Sequence, residues 1–161
     1  MWEKLAKAVV IALAGSLILP AAPRAQEQKN GRSAEELTLA DLMSIMQSRH
    51  LKLGYAALAR NWPLADYETK LMQRSFAEAA QKYPNVGNLP LADLVKRTST
   101  PALDEIAHAV DKRDQTTFFV AFKKLTNACN SCHETSQVGF IVIEPPTSSP
   151  FSNQNFEPGS K

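Results

Sequence analysis

The stretch Asp114–Ser136, DQTTFFVAFKKLTNACNSCHETS, decides how this chain folds. Asp114 has the side chain of a helix N-cap. Behind it Phe118, Phe122, Leu125, Cys129 and Cys132 recur in steps of four and three. Such steps keep side chains on one side of an α-helix, so this seam is made to pack against other helices.

Upstream the same logic repeats. Thr100-Pro101 starts a third helix with proline in its first turn. Its apolar face is Leu103, Ile106, Ala107 and Val110, and it ends near Arg113. Residues 84–100 carry Pro84, Gly87 and Pro90 and read as a long loop, with a short helical turn at Leu91–Lys96. The second helix starts at Pro63 and stops before Pro84, with Tyr67, Leu71, Ser75 and Ala79 on one face and Leu64, Met72 and Phe76 near it. The first runs from Leu39 to about Arg60. Thr38-Leu39-Ala40-Asp41 resembles a capping box, and long or apolar side chains recur at 39, 43, 46, 50, 53 and 57. Asn61-Trp62-Pro63 breaks it, with Trp62 as a core plug at the corner. No strand pattern precedes residue 140 and no repeat is visible. These observations predict an all-α domain over 38–139, an antiparallel four-helix bundle. Residues 140–161 open on Phe140-Ile141-Val142-Ile143 and continue as a Pro/Ser-rich tail, either a strap over the bundle or disordered.

The first 25 of the 161 residues read as a secretory signal. Lys4 and Lys7 precede an apolar run from Ala8 to Leu19, shorter than the ~20 residues of a membrane span. Ala21, Ala22 and Ala25 then place cleavage after Ala25, with an uncleaved anchor as the other reading. A polar leader, 26–37, follows. Removing Lys4, Lys7 and Arg24 from the 18 basic residues, and Glu3 from the 16 acidic ones, leaves 15 of each. The mature chain is therefore neutral and lacks the basic footprint of a nucleic-acid binder. Export predicts a periplasmic protein with no membrane span after signal cleavage.

The only two cysteines stand at Cys129 and Cys132, with His133 directly after. In an oxidising compartment free thiols do not persist, so they form a disulfide, hold a metal or are covalently modified. The spacing C-x-x-C-H is that of c-type haem attachment: two sulfurs reach two neighbouring vinyl groups and the histidine takes one axial face of the iron. On a helix these three residues share one face, so the haem would dock into the bundle core. A thioredoxin-like pair begins a helix after a strand, and none precedes this one. Zinc needs about four ligands, and only His50 and His108 remain as neutral nitrogens, with His108 at an exposed-looking position. A disulfide between helical residues i and i+3 would be strained.

A helical bundle with C-x-x-C-H near the end of its last helix resembles the cytochrome c′ and cytochrome c-556 family. The pattern H-L-K-L…N-W-P-L-A of His50 to Ala65 and the tail Phe151–Phe156 also resemble a group of small exported proteobacterial haem proteins. The globular class of small cytochromes c differs. It has the motif near its N-terminus and a methionine ligand downstream, whereas Met1, Met43, Met46 and Met72 all precede His133. Glu134–Gln137 departs from the aromatic–basic pair that commonly follows the motif in cytochromes c′.

The resemblance implies a methionine early in the first helix opposite the C-terminal histidine. Asp41-Leu42-x-x-x-Met46 matches that pattern, Met43 is the second candidate and His50, roughly 6 Å deeper along the axis, the third. An open sixth position is the other possibility. A methionine on a helical seam is also ordinary core filler, and His50 could instead be a buried or propionate-contacting residue. Arg49 is a candidate propionate partner.

The expected function is therefore not enzymatic. It is electron transfer by a periplasmic c-type cytochrome with one covalent haem c, His133 and a methionine on the iron, and redox partner proteins in the periplasm. The alternative is a five-coordinate site that binds nitric oxide or carbon monoxide. A third option is a haem subunit of a larger oxidoreductase, docked through the 140–161 tail. The resemblance also offers a homodimer paired through the first two helices.

Overall fold

Thr38 and Asp41 open the first helix as a reciprocal cap. The Thr38 hydroxyl accepts from the Asp41 N–H at 3.2 Å, and the Asp41 carboxylate accepts from the Thr38 N–H at 2.9 Å. The hydroxyl and backbone bonds from Thr38 hold the Asp41 carboxyl below the usual carboxylate range. These details come from a computed structural model that describes residues 37–148, 151 and 153–159. The expected signal at 1–25 and all of the leader except Leu37 lie outside the described residues.

Helix α1 spans Leu39–Leu58, α2 Trp62–Lys82, α4 Thr100–Asp111 and α5 Gln115–Thr135. A four-residue helix α3, Leu91–Leu94, precedes α4. No strand occurs among the described residues, which all belong to one compact unit. The fold is an all-helical bundle: α1 packs on α2, α2 on α4 and α4 on α5. Among the described residues no helix is long and apolar enough to cross a membrane.

The corners explain the boundaries. Arg60 and Arg113 adopt left-handed conformations, φ 55° and 54°. Each ends its helix with a pair of reversed backbone bonds, such as Arg60 N–H to Ala57 O and Asn61 N–H to Ala56 O. Asn61 then caps α2 by accepting from the Leu64 N–H at 3.2 Å, and Asp114 caps α5 by accepting from Thr117 at 3.1 Å.

Three sequence expectations need correction. Tyr67 is 56 % exposed; the face of α2 that enters the core is Ala65, Glu68, Thr69, Met72, Phe76 and Ala79, with Ser75. The 84–100 segment is a loop only to Pro90. Beyond α3 a π-helical turn, Val95–Ser99, runs straight into α4, because Val95 and Ser99 are buried against the bundle and the chain winds to bury them. On α4, Ala109 rather than Ala107 is fully buried.

Glu68 is a carboxyl in the core. It is 4 % exposed, its Oε2 has no hydrogen-bond partner, and burial raises its pKa against the opposing charges of Lys52 and Arg49. A raised folded-state value means that its contribution is full below the unfolded pKa and is lost as pH rises through the folded one. Glu68→Gln removes that dependence. Urea midpoints measured from about pH 4 to about pH 8 should show the variant gaining on the unaltered protein as pH rises.

The described part of the tail is a strap. Pro146 crosses α1 at Gly54, where a Cβ would meet Pro146 Cγ at 2.5 Å and Phe122 Cζ at 3.2 Å, so only glycine lets the strap lie down. Farther on, Lys52 Nζ stands 4.9 Å over the Phe151 ring and Tyr55 packs on Phe156 at 5.3 Å. The Asn61 amide that caps α2 also donates to the carbonyls of Phe156 and Glu157, at 3.1 and 3.3 Å.

Candidate functional site

The seam of α5 carries Phe118, Phe122 and Leu125 into the core and ends at Cys129 and Cys132, which are half-buried against it. One turn farther the helix ends, so these thiols border a cavity instead of filling the core. The cavity has a volume of about 390 Å³, within the range of small-molecule and cofactor sites. Its walls are mostly apolar. Helix α1 supplies Met43, Met46 and His50, and α5 supplies Cys129, Cys132 and His133. Thus all six candidate haem-attachment and iron-ligand residues line one space.

Other walls were not legible from spacing. Met72 and Phe76 reach in from α2, Leu91 and Ser99 from α3 and the π-helical turn, and Ile141 and Ile143 from the strap. Met72 was readable as an apolar α2 residue, but nothing local to it indicates the cavity. Arg49 does not line the cavity. Its guanidinium donates to the Leu71 carbonyl at 2.8 Å and to the Ser75 hydroxyl, tying α1 to α2. His108 is exposed on α4, and Trp62, at the α1–α2 corner, packs against the core.

The chemistry of each group follows from its surroundings. Burial, aided by the neighbouring Cys132, pushes the Cys129 thiol up to about 12; burial also raises Cys132, against a contact from Ser136. Both thiols are free and stay protonated at neutral pH. A redox-active or metal-binding cysteine has the opposite shift, because the thiolate is the reactive form. No group of three or more His, Cys, Asp or Glu that could hold a metal ion occurs among the described residues.

His50 is 3 % exposed and stacks on Phe122 at 4.3 Å. Burial lowers its pKa to about 4, so the ring is neutral. Its Nε2 lies 2.8 Å from the Thr126 hydroxyl, which itself lies 3.0 Å from the Phe122 carbonyl. A hydroxyl has one proton. Giving it to the carbonyl satisfies both contacts only if His50 Nε2–H donates to Thr126, which leaves the His50 lone pair on Nδ1. His133 Nδ1, in turn, lies 2.7 Å from the Ile141 carbonyl. Groups able to hold a cofactor here are therefore two neutral thiols, the imidazoles of His50 and His133, and the thioethers of Met43, Met46 and Met72. No protein-family model, curated protein or solved structure matches the chain.

Proposed function

We propose that this protein is a periplasmic c-type cytochrome that binds one haem covalently and transfers electrons between redox partner proteins. The observation that carries the reading is the convergence of Cys129, Cys132 and His133 with Met43, Met46 and His50 on one apolar cavity. The residues fit the group. Each neutral thiol can add its S–H across a vinyl double bond, sulfur to one carbon and hydrogen to the other, with no oxidant consumed. His133 would supply a nitrogen ligand to the iron. When bound, haem supplies a one-electron iron couple, whose potential a thioether ligand raises. We read the four long helices as an antiparallel bundle, in keeping with the three-residue turns Ala59–Asn61 and Lys112–Asp114.

Met46 is the sixth ligand in this reading. It is 4 % exposed on the cavity wall, whereas Met43 is half-buried at the rim and His50 spends Nε2 on Thr126. Absorption spectra of the oxidised and reduced protein test this. The expected spectrum is six-coordinate and low-spin. Met46→Ala should convert it to a high-spin form that takes up carbon monoxide, and Met43→Ala should leave it unchanged. A resting protein that is already high-spin and binds carbon monoxide would overturn methionine ligation in favour of gas binding.

A further inference from the structure

A segment beyond α5 decides which nitrogen His133 has to offer. The Ile141 carbonyl can only accept, so the Nδ1 at 2.7 Å carries a proton, and a ring with a single proton has its lone pair on Nε2. Ile141 reaches that position because the chain reverses at the end of α5. Gln137 is left-handed, φ 63°, and donates to the Glu134 carbonyl at 3.2 Å, while Val138 N–H donates to the His133 carbonyl at 2.9 Å. Those are the two bonds of a Schellman turn. The Ile141 N–H then donates to Val138 O at 2.9 Å.

Two residues on, the strap is pinned by the cysteine motif itself. Asn130, the first spacer of C-x-x-C-H, donates from Nδ2 to the Ile143 carbonyl at 2.9 Å. Its Oδ1 accepts from the Ile143 N–H at 2.8 Å. A single side chain thus replaces a pair of ladder bonds, and the Ile143 side chain is buried beside it, 8 % exposed. The helical turn that carries the thiols therefore also grips the segment that orients His133.

We propose that Asn130 and the strap Val138–Ile143 are a positioning device that fixes the tautomer and ring angle of His133 and presents Nε2 as the iron-binding nitrogen. The proposal rests on the haem reading above and deepens it. Asn130 acts only through Ile143 and Ile141. An Nδ1–H bond to a carbonyl also raises the basicity of the opposite nitrogen, which favours oxidised iron. Loosening the strap should therefore raise the potential.

The experiment uses the full chain, matured in a host that attaches haem, with isotope-labelled histidine. Asn130→Leu keeps the approximate size of the side chain and removes both bonds. Asn130→Asp keeps the acceptor for Ile143 N–H. In the unaltered protein, nitrogen NMR should show His133 as a single Nδ1–H tautomer. With iron on Nε2 the proton stays on Nδ1, so Asn130→Leu should weaken its bond to the Ile141 carbonyl, moving the Nδ1–H signal and speeding its exchange with water. It should also shift the reduction equilibrium ~10-fold toward the reduced form, comparable with the low end of what orienting partners do to metal affinity. For one electron that is about +59 mV. Asn130→Asp should fall between. If Asn130→Leu fails to fold, the Asn130→Asp comparison decides alone. An unchanged Nδ1–H signal and an unchanged potential in folded variants would overturn the proposal. A chain that never takes up haem would instead overturn the functional reading, and the tautomer signal of that chain would still decide whether the strap sets the ring.

Discussion

Replacing Cys129 and Cys132 together by serine should abolish retention of haem through acid–acetone extraction while leaving the helices folded. Serine is nearly the size of cysteine but cannot form a thioether. Both positions are half-buried at the border of the cavity, not in the centre of the core, so the fold tolerates the exchange. Each new hydroxyl can bond the carbonyl four residues back, as Thr126, Thr135 and Ser136 already do on the same helix. Each single variant should retain one covalent link and resist extraction. Helix content from circular dichroism is the control. If the unaltered protein releases its haem under the same extraction, covalent attachment is wrong and the cysteines need another account.

Phe122→Ala should cost about 3–5 kcal/mol, the usual range for truncating a buried aromatic ring. Phe122 is 1 % exposed and is the side chain where α5, α1 and the strap meet. It stacks on His50 at 4.3 Å and on Phe118 at 5.6 Å, stands edge-on to Phe119 at 6.3 Å, and closes against Gly54 beneath Pro146. Those neighbours are held by their own helices and cannot collapse into the gap. Against a typical total of about 5–15 kcal/mol, the loss would leave a marginal protein. Denaturant unfolding at constant slope measures it. A loss under about 1 kcal/mol would show that the site relaxes and that the ring does not join these elements.

The seam residues of α1 and α5 were legible because the period of an α-helix is a local property: steps of three and four place Met46, His50 and Leu53, or Phe118, Phe122 and Leu125, on one side wherever the helix later docks. The caps at Thr38 and Asp114 were legible for the same reason, since a cap bonds within three residues of itself. Helix α2 misled because both of its faces carry usable side chains. Ser75 and Ala79 were assigned to the buried face, but Tyr67 points out and the acidic Glu68 points in, a choice made by α1 and α4 and not by α2. A short helical turn at Leu91–Lys96 was expected, yet its continuation as a π-helical turn to Ser99 and straight into α4 was not, because that turn is held by burial against distant helices.

Spacing alone therefore settled the four long helices, the caps at Thr38 and Asp114 and the alignment of Cys129, Cys132 and His133 on one face, all consequences of short-range geometry. Only the tertiary structure decided that Met72 joins the cavity, that Arg49 leaves it to tie α1 to α2, and that His50 commits Nε2 to Thr126. It alone decided that Asn130, unremarkable as a motif spacer, holds Ile143 so that Ile141 can fix the proton of His133. Those outcomes depend on contacts between residues far apart in the chain, whose partners are chosen by how whole faces close on one another, and no local period records that choice.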